Sequence, residues 1–209
     1  MPVKSKLLCV AALVACQPLK VPAQDQAAPS ADEQTIGQII RDVRKELVTL
    51  PNFGVFDHLW FGLKDRTVVL RGYASRPTLK SSAENVVKKV KNVEAVTNEI
   101  EVLPVSPNDD RIRAAVYARI YGHPSLQRYT SNRGGGRNIS RIQVATGITN
   151  NPPIGYHAIR IIVKNGEVTL FGIVDNEGDF AIAEMQARMT PGTFTIFNEL
   201  EVAKEDKSK

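Results

Sequence analysis

The apolar residues Ile36, Ile39, Ile40, Val43 and Leu47 recur at three- and four-residue steps, which predicts an amphipathic helix. Ser30-Ala31-Asp32-Glu33 supplies a capping box in front of it. The period then shortens to two. A two-residue turn at Asp65-Arg66 would set Leu63 opposite Val68 and Phe61 opposite Leu70, giving a β-hairpin with one apolar face. A second helical stripe follows at 77–90 through Leu79, Ala83, Val86, Val87 and Val90, and a final strand alternates through Val96, Ile100 and Val102.

The same order then returns. Phe61-Gly62-Leu63 through Gly72 aligns with Ile161-Ile162-Val163 through Gly172 at an offset of 100, and Asn98-Glu99-Ile100-Glu101-Val102 aligns with Asn198-Glu199-Leu200-Glu201-Val202 without a gap. Upstream, Ile39, Val43, Leu47 and Pro51 match Ile112, Val116, Ile120 and Pro124 at an offset of 73, so the second copy carries 27 extra residues between its first helix and first strand. Its first helix has Ser106 as cap and Pro107 at the first helical position. In its hairpin Asn165-Gly166 suits a type I′ turn, because both central residues need positive φ. That turn sets Val163 opposite Val168 and Ile161 opposite Leu170; a helix over 177–189 follows, stopped by Pro191-Gly192.

The fold class is therefore α+β: two repeated α-β-β-α-β units, each with two helices packed on a small mixed sheet. A unit of about 70 residues buries little core, so the two should pack together. Phe53, Phe56, Trp60, Tyr117, Tyr121 and Tyr129 are expected between them. Asn98 and Asn198 interrupt the apolar phase of the last strand, which points to bonded structural roles. Gly72 and Gly172 are expected where backbones approach closely.

The duplicated Val-x-Leu-x-Gly motif (Val68, Leu70, Gly72; Val168, Leu170, Gly172) and the closing Val-x-Asn-x-Ile/Leu-x-Val strand resemble the BON domain. The resemblance covers 36–103 and 107–203. It implies a non-enzymatic envelope protein of Gram-negative bacteria, linked to envelope integrity or osmotic stress and to binding at phospholipid surfaces. The chain departs from the pattern in its insertion, about 124–153, and in lacking glycine at Asp65-Arg66.

Composition narrows the setting. Hydrophobic residues at 43% and charged residues at 23% exclude global disorder, and two cysteines, Cys9 and Cys16, exclude a disulfide-built fold. Residues 1–23 read as an export signal: Lys4 and Lys6 precede a short apolar run, and no acid occurs before Asp25. Leu13-Val14-Ala15-Cys16 resembles a lipobox, which would lipidate Cys16, whereas Val21-Pro22-Ala23 fits ordinary cleavage. Residues 24–35 form a linker and 204–209 a charged tail. The expected location is the periplasm or outer membrane.

Loss of Lys4, Lys6 and Lys20 with the signal lowers the formal charge from +5 to +2. What remains is uneven: from Arg111 to Lys164 there are nine cations and no carboxylate. Four of them, Arg128, Arg133, Arg137 and Arg141, lie in the insertion around Gly134-Gly135-Gly136 and are the candidate anionic-surface residues. Chemistry is sparse. His58, His123 and His157 lack metal-ligand spacing, and the glycine run lacks a P-loop ending, so no cofactor, metal or catalytic residue is expected. Two functions fit: docking on anionic phospholipid membrane, or a soluble chaperone-like or scaffold role toward envelope proteins. Export disfavours nucleic acid, and the oligomeric state stays open.

Overall fold

The computed structural model describes residues 31–131, 139, 143 and 146–204, with side chains from residue 35 onward. The export segment with Cys16, the cap Ser30, the glycine run, Arg133, Arg137, Arg141 and the end of the charged tail lie outside the described residues.

The first unit runs α1 (Ala31–Val48), β1 (His58–Lys64), β2 (Thr67–Ala74), α2 (Pro77–Val87), β3 (Ala95–Asn98) and β4 (Glu101–Val102). The second runs α3 (Pro107–Gly122), a 3-10 turn (Pro124–Tyr129), β5 (Arg160–Lys164), β6 (Glu167–Val174), α4 (Glu177–Arg188) and β7 (Thr195–Val202). In both sheets the hairpin is antiparallel and the last strand pairs parallel to its second arm, in the orders β1-β2-β3, with β4 also on β2, and β5-β6-β7. These are the two mixed sheets read from the repeat.

The hairpin registers agree with the sequence. Phe61 faces Leu70 and Leu63 faces Val68; Ile161 faces Leu170 and Val163 faces Val168. Asn165 and Gly166 both take positive φ, 52° and 81°, whereas in the first turn only Asp65 does, at 56°. Gly72 and Gly172 sit at φ of 116° and 133°. A β-carbon there would lie 2.0 Å from the carbonyl oxygen of His58 or Ala158, so both positions require glycine. Each glycine lets the hairpin arms close at the start of the first strand.

Asn98 and Asn198 are bonded alike. Asn98 Nδ2 donates to Lys80 O and to a Glu84 carboxylate oxygen, and its Oδ1 accepts from Ile100 N. Asn198 does the same with Phe180 O, Glu184 and Leu200 N. Each amide ties the last strand to the second helix where an apolar residue could not satisfy the backbone. Pairing with Lys88 or Arg188 first, then the asparagine bond, holds the two glutamates below the usual carboxylate range.

Two apolar cores form. One gathers Ile39, Val43, Leu47, Val68, Leu70 and Leu79 in the first unit. The other gathers Ile112, Val116, Ile120, Ile161, Val168 and Leu170, and it also takes in Val55 and Phe56 from the first. The segment before β1 is thus a shared element.

Candidate functional site

The insertion arginines were the sequence's leading candidates, and the one that is described is internally engaged. Arg128 pairs with Asp175 at 2.9 Å and with the buried Asp179, and its guanidinium lies over the Tyr129 ring. Tyr129 Oη donates to Asp179 at 2.7 Å and accepts from Asp175 N. The hydrogen bond to Tyr129 and then the two carboxylates hold the Arg128 pKa above its ordinary value. Arg128 therefore clamps the 3-10 turn onto the start of α4, and its charge is balanced before any membrane is met.

Other members of the basic tract are engaged within the fold too. Arg113 is buried, donating to Asp110 at 2.7 Å and to Val163 O at 2.6 Å. Arg160 donates to Gly54 O at 2.7 Å and lies over Phe53, and Lys164 pairs with Glu101 at 2.6 Å. For Arg113, Arg128 and Lys164 the run of cations is offset in space, by the carboxylates of Asp110, Asp175, Asp179 and Glu101. The carboxylate of Asp109, in the first turn of α3, accepts from Asn165 N and Gly166 N, both at 2.9 Å, and pins the hairpin turn to α3.

The two units differ most at the outer edges of their first strands. In the second, the edge formed by Ile159 and β5 is closed at four backbone atoms. Tyr121 Oη donates to Ile159 O at 2.6 Å and accepts from Ile159 N at 3.1 Å. Ile161 N donates to Val55 O at 2.9 Å, and Val163 O accepts from Arg113. Phe56, 1% exposed, fills the space beside them edge-on to Tyr117, at 6.3 Å between ring centroids. Tyr117 and Tyr121 are thus core residues of the second unit. Between the units Tyr117 meets Phe56, while His58 stacks on Phe171 at 4.1 Å.

In the first unit the same edge is open. At the offset of 73, Ile40 replaces Arg113, Arg44 replaces Tyr117 and Val48 replaces Tyr121. Ile40 and Val48 have no polar side-chain atoms, and Arg44 makes no hydrogen bond to the β1 edge among the described residues. Among the described residues no hydrogen bond reaches the outward backbone groups of Leu59, Phe61 or Leu63. What remains is a groove of about 470 Å³ between α1 and β1, lined by Ile40, Leu47, Val48, Leu59, Trp60 and Phe61, with Arg44 at its side. Trp60 is 46% exposed under the Arg71 guanidinium, and Val48 is 61% exposed. Trp60 therefore stands at an open rim and not between the units. An unpaired strand edge beside an apolar groove offers main-chain bonds and side-chain pockets to an extended segment. The offset alignment held this signal: the missing tyrosine and arginine are visible in it, but their effect depends on which strand each helix faces.

Among the described residues no group of three or more His, Cys, Asp or Glu could hold a metal ion, and no helix is long and apolar enough to cross a membrane.

No curated protein matches the chain. Two solved structures cover most of it: CdsD, described as a structural protein of the type III secretion system of Chlamydia trachomatis, and the C-terminal domain of CdsD. CdsD is 12% identical over 81% of this chain and 94% of its own, with a TM-score of 0.24. Its C-terminal domain is 12% identical over 79% of this chain and 98% of its own, at 0.25. Superpositions that loose carry no argument. The family model described as the BON domain matches residues 35–104 and 141–204, more than half of the chain. With its motif glycines and asparagines doing the same work in each copy, this chain belongs to the BON domain family.

Proposed function

We propose that this BON protein is an exported, non-enzymatic binding module of the bacterial envelope that takes up an extended, partly apolar segment of a protein on the β1 edge of its first unit. One observation carries the reading: β5 has its outer edge closed by Tyr121, Val55 and Arg113, while β1 keeps the equivalent edge open beside an apolar groove. Alternate side chains of an added strand would enter that groove, and its backbone would satisfy the Phe61 and Leu63 edge. A photo-crosslinking residue at Trp60, compared with one at Glu199 on the second unit, tests this in the native envelope. Protein adducts at position 60 that are absent at 199 are expected. Lipid adducts alone, or equal trapping at both positions, would overturn the reading.

A second reading, docking on anionic phospholipid, keeps one specific support. Arg133, Arg137 and Arg141 surround three glycines with no acid nearby in sequence, and each cation close to an anionic bilayer contributes about 1 kcal/mol. Lipidation at Cys16 would hold either activity at a membrane surface.

A further inference from the structure

The same duplication that leaves a groove on the first unit leaves a plug on the second. At the offset of 100, Phe53-Gly54-Val55-Phe56-Asp57 before β1 corresponds to Pro153-Ile154-Gly155-Tyr156-His157 before β5. The first of these segments is already a docked ligand: Val55 O takes the Ile161 edge amide, and Phe56 is buried against Tyr117. Its counterpart has no such berth among the described residues, with Ile154 85% and Tyr156 66% exposed. One contact inside the molecule thus consumes a plug from the first unit and a groove from the second, leaving one of each unused.

We infer that the occupant of the α1–β1 groove is the segment Pro153–His157 of a second copy of this chain, so that copies associate head to tail. The inference rests on the open edge being a protein-docking site and names its partner. In the contact, Tyr156 enters the apolar groove as Phe56 enters the second unit's, and Ile154 covers its rim. Gly155 O, which accepts from His157 Nδ1 at 2.9 Å, has a second lone pair for the Phe61 amide. The segment is held in place for this role, since Tyr156 N donates to Ser131 Oγ and Tyr156 O accepts from Ser131 N. A fixed plug loses little conformational freedom on docking. Because plug and groove are different surfaces, the association is heterologous, and it continues beyond a dimer unless a ring closes.

Sedimentation of the full chain over a range of concentrations tests this with two variants. Ile154→Asp with Tyr156→Ser spoils only the plug, and Val48→Asp with Trp60→Lys spoils only the groove. All four positions are exposed, and melting curves verify that each variant stays folded. The wild-type mass is expected to rise past a dimer with concentration, and each variant alone to associate at least tenfold more weakly. An equimolar mixture of the two should form a one-to-one dimer and stop there, because it holds one intact plug for one intact groove. A wild type that stays monomeric, variants that both associate normally, or a mixture that stays monomeric while the wild type associates would each overturn the inference. If position 60 still traps a different protein while the wild type is monomeric, the docking edge stands and only this occupant is wrong.

Discussion

His157 shows how one side chain can satisfy a buried corner and set its response to acid. Its ring is fully buried between Tyr117, 3.0 Å from Nε2, and Gly155 O, 2.9 Å from Nδ1. Both contacts fit a neutral ring: Nδ1–H donates to the carbonyl and Nε2 accepts from the phenol. Burial lowers its pKa to about 4, and burial followed by repulsion from Arg160 lowers that of His58 to about 4 as well. The unfolded chain, with ordinary histidines near 6.5, therefore binds more protons between about pH 6.5 and 4. Stability is full above that window and falls as pH drops through it, by up to about 3 kcal/mol for His157. Asp57 acts in the opposite sense, since burial raises its carboxyl pKa against the hydrogen bonds from Ser75 and Gly54. The expected result is a His157 ring that titrates near 4 by NMR, with urea midpoints falling between about pH 7 and about pH 4.5. A His157 resonance moving near 6.5 would show that the ring is not held in this way.

Among the elements, the segment between α1 and β1 has the largest effect for its length. It belongs by sequence to the first unit and by packing to the second. Phe56→Ala should cost about 3–5 kcal/mol through the cavity it leaves, and the loss should appear chiefly in the second unit. Hydrogen exchange would read it as faster exchange of the Ile161 amide with little change in β2 and β3. Loss spread evenly over both sheets would contradict the assignment. The hairpin registers, the motif glycines and the paired asparagines were legible in the sequence because each follows from a local period or from chemistry repeated at a fixed offset. The closed edge of β5 was not, although Arg113, Tyr117 and Tyr121 were all in view. A helix residue can cap a strand edge only once the packing angle is known, and no period reports that angle. Phe56 was expected between the units for its apolar character, yet its burial in the neighbour's core depends on where the chain turns before β1.

For the whole molecule, charge counted along the chain and charge met in space lead to different expectations. The tract from Arg111 to Lys164 holds no acid, but the fold brings carboxylates to Arg113, Arg128 and Lys164. Any excess able to attract an anionic bilayer must then come chiefly from cations the fold leaves unbalanced. Arg133, Arg137 and Arg141, outside the described residues, are the insertion's candidates by sequence, and a charge in water acts over about 8–10 Å at physiological ionic strength. Replacing those three by Gln should weaken binding to anionic vesicles at low salt and leave the melting curve unchanged. Arg128→Gln should do the reverse, because it removes the cation paired with the buried Asp179 and loosens the 3-10 turn from α4. Measuring both variants by vesicle co-sedimentation and thermal melting separates the two roles. If Arg128→Gln reduces vesicle binding as much as the triple variant while the fold stays intact, its ion pairs open at the membrane and the insertion acts as one surface. If the triple variant binds as the wild type does, the arginines carry no lipid contact, and any vesicle binding comes from another part of the molecule.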